Sequence, residues 1–159
     1  MALAPMEEKK LGSDELARLA ADIRCRVREL DGSRPPGNVH FVALADFFRY
    51  NVHKGGFAQL IFNLQGEYLE EMEQMLLHAP APVAHTFYLK AVETCLGDEE
   101  GYRAFVAGDY VSANRVKDAL HAVTLEYYEK RKKFVEEVGP FVERTRYDVE
   151  NWLLASKPG

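Results

Sequence analysis

Residues 53–63 read HKGGFAQLIFN, and this stretch decides the fold. It follows an apolar run with helical spacing over residues 39–52, which the paired glycines Gly55 and Gly56 end, because glycine adopts left-handed backbone geometry without steric cost. The residues after the glycines are few enough for a strand or a short helix, but their Ala, Gln and Leu content favours a helix. Asn63 tolerates left-handed geometry and ends it. The stretch therefore predicts a tight turn between two helices.

Amphipathic patterns extend on both sides of this turn. Apolar residues recur every three or four positions, charged residues fill the other faces, and breakers such as Gly139-Pro140 separate the runs. There is no internal repeat and no long alternating run typical of a strand. The sequence predicts an all-α, compact single-domain bundle of about six to eight helices over residues 13–156, after a flexible N-terminal arm over residues 1–12. The other predicted helices cover residues 13–31, 66–78, 83–96, 102–107, 112–138 and 141–154.

Composition excludes several classes of protein. The chain has 159 residues, 47% of them hydrophobic, and a formal net charge of -5. A nucleic-acid-binding domain is normally basic, and a membrane helix needs about 18 consecutive apolar residues, so neither direct nucleic-acid binding nor membrane insertion is expected. The N-terminal residues lack the apolar core of a signal peptide, which favours a cytoplasmic location. Cys25 and Cys95 belong to no CxxC motif and are expected to be free, buried thiols.

The acidity is concentrated in the middle of the chain. Residues 55–114 carry nine acids and only Lys90 and Arg103 as bases, a charge of -7, whereas each end is +1. Helical spacing places several of these carboxylates about one turn apart. This predicts either an ordinary solvated helix face or an acidic partner-binding face. The face consists of Glu67, Glu70, Glu71, Glu73, Asp98, Glu99 and Glu100.

A basic run occupies residues 130–133, late in the predicted helix 112–138. Glu126 and Lys130 are four residues apart, and so are Glu129 and Lys133. In both pairs the acid comes first, which is the order that stabilises a helix. The run is therefore expected to be a solvated face that is paired along its own helix, and not a nucleic-acid site, which needs interleaved exposed aromatic residues.

Catalytic and metal-binding motifs are not evident. The five histidines form neither HExxH nor an i,i+4 pair, and no GxSxG or phosphate-binding GK[ST] motif occurs. Surface carboxylates on a helix seldom have the burial that tunes a catalytic pKa. The sequence therefore predicts a protein that is not an enzyme, with no metal and no cofactor.

The stretch around the glycines resembles the signature of a bacterial helical family, known as the C-terminal domain of a DNA-mimic protein. The family pattern is close to N-G-G-F-x-Q-[FYL]-[FIL]-x-N, followed by a Gly- and Tyr/Glu-rich helix start. The matching residues are Gly55, Gly56, Phe57, Gln59 and Asn63, followed by Gly66-Glu67-Tyr68. Lys54 replaces the usual Asn, and Arg49-Tyr50-Asn51 stand where the family commonly has an acid. The likeness covers roughly residues 40–150.

The resemblance implies an all-α domain that can dimerise and, in at least one member of the family, an acidic surface that imitates DNA and binds a transcription factor. The residues themselves favour a structural role for the signature. The glycines permit the turn, Phe57 anchors the next helix in the core, and Gln59 and Asn63 bond to exposed backbone ends.

Three functional hypotheses follow. The leading one is a non-enzymatic interaction module whose acidic face binds a basic protein partner, in the manner of a DNA-mimic regulator. The second is a structural or immunity-type module that binds through an apolar groove, with Phe62, Tyr68, Tyr88 and Tyr102 as exposed aromatic residues. The third is an enzyme in which His53, Gln59 and Asn63 converge near the glycine turn. A homodimer through the helix 141–154, which carries Trp152 and Leu153, accompanies the leading hypothesis.

Overall fold

The computed structural model describes residues 11–159 and confirms the predicted all-α single domain. The described part contains helices and no strand. In chain order the helices are α1 (Ser13–Glu29), α2 (Gly37–Leu64), α3 (Leu69–His78), α4 (Pro82–Leu96), α5 (Glu99–Ala107), α6 (Arg115–Glu129) and α7 (Phe134–Ala155).

Helix α2 is the centre of the bundle. It packs against α1, α3, α5, α6 and α7, and α4 closes the other side by packing on α3, α5 and α6. Because it has neighbours on most sides, α2 buries apolar residues around its circumference, as a central helix must. Val42, Phe48, Leu60 and Ile61 are each at most 1% exposed.

Helix α2 is broken at a single residue, Gly56. Its φ of 70° and ψ of -164° are non-helical, so the chain changes direction and then resumes the helix. The break leaves the N–H of Phe57 without an intrahelical acceptor. That N–H donates to Thr124 Oγ1 of α6 at 2.8 Å, and the same hydroxyl donates to the carbonyl of Leu120 at 3.0 Å. The predicted turn between two helices is therefore present, and it consists of a single residue with positive φ, Gly56.

The break seats the Phe57 ring in the core. Phe57 is 0% exposed, and its ring centroid lies 6.0 Å from that of Phe48 and 5.7 Å from that of Tyr127. Both contacts are edge-on, which is a favoured aromatic geometry. The expectation that Phe57 anchors the helix after the glycines agrees with this position.

A buried carboxylate joins α7 to α4. Glu137 is 9% exposed, and its two oxygens accept hydrogen bonds from the N–H groups of Val83 at 2.9 Å and Ala84 at 3.0 Å. These are free donors in the first turn of α4, where the helix dipole also favours a negative charge. This cap comes from a residue more than 50 positions away in sequence.

The single helix predicted over residues 112–138 is wrong, and so is its termination at Gly139-Pro140. Helix α6 ends at Glu129, Arg131 adopts left-handed geometry with φ 52°, and α7 begins at Phe134. Pro140 lies inside α7. An internal proline costs about 3 kcal/mol. The buried face of α7, which includes Val138 and Phe141, outweighs that cost by its packing.

Smaller expectations also need correction. Tyr68, placed within the predicted helix 66–78, is instead the left-handed N-cap of α3, and its side chain is 47% exposed. Leu11, assigned to the flexible arm, is buried, whereas residues 1–10 lie outside the described part of the chain. Cys25 is exposed rather than buried, and Cys95 is buried as expected.

Replacement of Gly56 by Ala should destabilise the fold strongly. An added Cβ would lie 2.4 Å from Thr124 Oγ1 and 2.6 Å from its Cγ2, in a left-handed backbone that L-residues avoid. We expect Gly56→Ala to lose about 3 kcal/mol or more of unfolding free energy in urea denaturation. Gly32→Ala is the matched control, because Gly32 has φ 80° with nothing within 4 Å, and about 1 kcal/mol is expected there. Equal losses at the two positions would contradict the role assigned to Thr124.

Candidate functional site

The first acidic stretch surrounds the start of α3. Left-handed residues at Gln65, Gly66 and Tyr68 turn the chain sharply before the helix. Glu67 and Glu70 are exposed, and within residues 11–159 no hydrogen bond or ion pair engages either carboxylate. Negative charge in this first turn is favoured by the helix dipole. These two glutamates therefore present free charge to solvent.

The other two acids of α3 are paired with neighbouring elements. The Glu71 carboxylate accepts a hydrogen bond from the Arg34 guanidinium and interacts with His40 Nε2 at 2.8 Å. The bond from Arg34, helped by His40, lowers the pKa of Glu71 against the opposing effect of desolvation. Glu73 lies 3.4 Å from His85 Nε2. Both side chains belong to internal contacts, so neither is a free part of the acidic face.

The second acidic stretch begins at the N-cap of α5. Asp98 Oδ1 accepts from the Gly101 N–H at 3.0 Å and from Arg115 Nη2 at 2.9 Å, and Arg115 also donates to the second oxygen. These donors hold the pKa of Asp98 at about 2, with Arg115 as the largest cause. Glu99 faces Arg103 at 3.9 Å in a highly exposed pair, which contributes little. The Glu100 carboxylate is exposed and forms no hydrogen bond or ion pair within the described residues, although it lies close enough to Arg115 to help raise the pKa of that guanidinium.

The two stretches meet beside one small apolar pocket. The pocket has a volume of about 210 Å³, and both Leu69, which lies between Glu67 and Glu70 in sequence, and Glu99 line it. Tyr102 also lines it. The Tyr102 hydroxyl lies next to Gly66, because a Cβ added to that glycine would be 3.5 Å from the hydroxyl oxygen. The remaining lining residues are Ile61, Val92, Cys95, Leu96 and Arg103. Leu96 is 67% exposed, so an apolar side chain stands at the edge of the acidic surface.

The acidic face is thus narrower than the seven residues expected from the sequence. Glu67, Glu70 and Glu100 form no hydrogen bond or ion pair in the described structure, whereas Glu71, Asp98 and Glu99 pair with arginines and Glu73 lies beside His85. Sequence reasoning missed Glu93, an exposed acid on α4 between the pocket residues Val92 and Cys95. Glu93 follows Val92 directly and precedes Leu96 by three residues. The helical spacing of Glu93 and Leu96 could therefore have placed Glu93 on the same side of α4 as Leu96.

The aromatic residues expected to line an apolar groove do not all do so. Tyr88 is 1% exposed and donates from its hydroxyl to the Leu69 carbonyl at 2.5 Å, so its assignment as an exposed residue is wrong. Phe62 and Tyr102 are half-buried. Tyr68 is exposed, and its ring stacks with the Arg34 guanidinium at 5.9 Å. Tyr102 alone among the four lines the pocket.

The amides of the signature form a cluster around Asn51. Gln59 Nε2 and Asn63 Nδ2 donate to Asn51 Oδ1 at 3.1 and 2.6 Å, and Asn51 Nδ2 donates to the Phe47 carbonyl at 2.8 Å. The expectation that the two amides bond directly to backbone ends is therefore not what the structure shows. Asn51 is 2% exposed, so the cluster ties the two halves of α2 together across the break.

The residues of the enzyme hypothesis do not converge. His53 is two positions from Asn51, about 200° around the helix, so it lies away from Gln59 and Asn63. It lines a different cleft, beside Val52 and Tyr128. Within the described residues no group of three or more His, Cys, Asp or Glu side chains could hold a metal ion. None of the described helices combines the length and the apolar character that a membrane span requires.

The pKa of Asp98 should report the ion pair at the start of α5. Because its folded pKa is depressed below the ordinary 3.8, the carboxylate stabilises the fold above about pH 4, and this contribution is lost as the pH falls through about 2. We expect an NMR titration of the Asp98 carboxyl carbon to have its midpoint near pH 2 in the native chain. Arg115→Gln should raise that midpoint, whereas the control Arg103→Gln, which removes the partner of Glu99, should leave it in place. An unchanged midpoint in Arg115→Gln would refute the assignment.

Comparison with known proteins identifies the family. The family described as DMP19-like protein matches residues 34–145, a range that runs from the loop before α2 into α7. It therefore contains the broken helix, both acidic stretches and the apolar pocket. The comparisons with curated proteins and with solved structures gave no match. Since the match covers well over half of the chain, this protein belongs to the DMP19-like family, a family of DNA-mimic proteins.

Proposed function

We propose that this chain is a non-enzymatic interaction module whose acidic face binds a basic protein partner, and that this partner is a DNA-binding protein. The observation that carries the proposal is the meeting of the two acidic stretches beside an apolar pocket. Membership of a DNA-mimic family supports the choice of partner. The burial of Gly56 and Phe57 supports a structural role for the stretch around the glycines, rather than a role in the contact.

The arrangement has the composition of a protein-binding site. Interfaces generally have an apolar centre and a polar rim, and charged rims steer association more than they add affinity. Here Leu96 and the pocket provide the centre, while the exposed acids Glu67, Glu70 and Glu100 are close in sequence to the lining residues Leu69 and Glu99 and would supply the charge. A partner helix with one apolar side chain between lysines or arginines complements this surface.

The density of charge sets the expected strength of the mimicry. Duplex DNA carries one negative charge per about 1.7 Å of axis, whereas carboxylates one helical turn apart are about 5.4 Å from each other. Internal partners further neutralise Glu71 and Asp98. We therefore expect moderate affinity, with the apolar contact supplying part of the binding free energy.

Charge reversal at Glu67, Glu70 and Glu100 should strongly weaken partner binding. The variant Glu67→Lys, Glu70→Lys, Glu100→Lys replaces attraction by repulsion and should weaken retention of the partner in a pulldown at least about tenfold. Glu71 and Asp98 are left unchanged because their ion pairs connect elements of the fold. Binding by the native chain should also weaken between about 50 and 500 mM NaCl, and added duplex DNA should neither bind the chain nor compete for its surface except through the partner.

A charge-matched control separates this surface from net charge. The variant Glu129→Lys, Asp148→Lys, Glu150→Lys reverses three exposed acids of α6 and α7 and changes the net charge by the same amount. It should retain the partner. Equal binding by the native chain and both variants would refute the acidic-face proposal.

The alternative function, binding through an apolar groove, uses the same pocket without the charges. Leu96→Asp would then abolish binding, charge reversal would not, and retention would be insensitive to salt. The exposed Leu96 is the observation that favours this second candidate.

The proposed homodimer would use the outer face of α7. Tyr147 and Leu154 are seven residues apart, two helical turns on one face, and are 70% and 76% exposed. Trp152 and Leu153, which suggested the dimer from the sequence, are half-buried within the domain. Light scattering should give twice the 18.1 kDa of one chain, and Tyr147→Glu with Leu154→Glu should halve that mass. A native mass of 18.1 kDa would reject the dimer.

A further inference from the structure

A second concave surface lies away from the acidic face. It is a cleft of about 790 Å³ between the end of the first half of α2, the start of α1 and the loop 130–133 that joins α6 to α7. It shares no lining residue with the apolar pocket beside the acidic stretches. Its volume falls within the range of roughly 300–1,000 Å³ that is typical of small-molecule sites.

The walls of the cleft are aromatic and aliphatic. Tyr128 lines the cleft with an exposed ring, whereas Phe48, Val52, Tyr127 and Phe134 are at most 7% exposed and form its floor. The Tyr128 ring is fixed, because its hydroxyl donates to the Val52 carbonyl at 2.5 Å while the side chain remains 47% exposed. Rings held at the edge of a cleft offer a flat apolar surface to a planar molecule.

Cations gather at the same cleft because the helix is broken there. In the continuous helix expected from the sequence, successive side chains would diverge by about 100° around the axis. The left-handed backbone of Arg131, with φ 52°, instead places Arg131, Lys132 and Lys133 along one cleft. A non-glycine residue in this geometry costs about 1–2 kcal/mol and is found disproportionately at ligand-binding sites.

The charge of the cleft is positive after internal pairs are removed. Arg49 is bound to Asp46 at 2.7 Å, and Lys132 faces Glu136 at 3.6 Å. The pairs expected between this basic run and Glu126 and Glu129 do not form; Glu126 lies 3.4 Å from Lys90 instead. Within residues 11–159, Arg131 and Lys133 have no acidic partner, and Asp14 is the one acid that lines the cleft.

We propose that this cleft binds a small amphipathic anion, a molecule with a planar apolar body and a carboxylate, phosphate or sulfonate group. The rings of Tyr128 and Phe134 would contact the body, and Arg131 and Lys133 would bind the anionic group. An inorganic anion alone would leave the aromatic walls uncovered. This site is independent of the proposed acidic-face function, because it uses different residues and the opposite charge.

Two dyes test the proposal directly. The probe 8-anilinonaphthalene-1-sulfonate has an aromatic body and one negative charge, and N-phenyl-1-naphthylamine has nearly the same body without the charge. Titration of the native chain with each dye, followed by fluorescence, should show one sulfonate dye bound per chain at least tenfold more tightly than the neutral dye. Arg131→Glu with Lys133→Glu should weaken the sulfonate dye at least tenfold and leave the neutral dye within a factor of about two. Equal affinities of the two dyes for the native chain would overturn the proposal.

Matched controls locate the site. Lys130→Glu with Lys157→Glu makes the same change in net charge, and neither residue lines the cleft, so dye affinity should be retained. Circular dichroism melts establish that both variants are folded. A loss of affinity equal to that of the cleft variant would mean that net charge, and not the cleft, attracts the dye, and would overturn the assignment.

Competition identifies the class of ligand. Naphthoate or adenosine monophosphate should displace the sulfonate dye, and inorganic phosphate at the same concentration should not. Displacement by inorganic phosphate alone would reject the amphipathic ligand. If an acidic peptide displaced the dye at lower concentration than the small anions do, the cleft would be a peptide site and the proposal would fail.

Discussion

The left-handed backbone at Gly56 is the constraint on which the rest of the structure depends. It allows α6 to approach α2 so closely that Thr124 accepts the hydrogen bond of Phe57 N–H, at a point where any Cβ on residue 56 would collide with Thr124. The same break directs Phe57 into the core between α2 and α6. Because α2 touches most of the other helices, its bend determines where each of them lies.

The break also separates the two surfaces to which function is assigned. The first half of α2 carries Val52 and His53, which line the cationic cleft, whereas the second half carries Ile61, which lines the apolar pocket of the acidic face. The net charge of -5 therefore conceals an acidic face and a cationic cleft that share no lining residue. Such separation orients charged partners and ligands as they approach.

The spacing of apolar residues identified most of the helices, because the features that start, continue and end a helix lie close together in the sequence. Spacing of three and four residues, prolines at helix starts and glycines at breaks act within one or two turns. The failures share a cause in tertiary packing. The burial of Phe134 and Val138 carries α7 past Pro140, and α6 ends at Glu129 before the left-handed Arg131, where helical spacing alone predicts continuation. The predicted pairs along residues 126–133 were lost together with the helix that would have formed them.

The acidic face shows the same limit at the level of the site. The concentration of carboxylates in residues 55–114 is visible in the sequence, and so is the apolar spacing that brings Leu69 and Tyr102 inward. The neutralising cations are not visible there, because Arg34 is 37 residues from Glu71 and Arg115 is 17 residues from Asp98. Which acids stay free is a property of these distant contacts.

By itself the sequence determined an all-α domain, a glycine turn at its centre and a charge of -7 in the middle third, since composition, propensity and helical spacing are properties of neighbouring residues. Only the tertiary structure decided which carboxylates remain unpaired, that Asn51 gathers the amides of the signature, and that residues 131–133 face a cleft rather than solvent on all sides. The physical reason is that pairing, desolvation and concavity arise between segments far apart in the chain, and they exist only after those segments have packed.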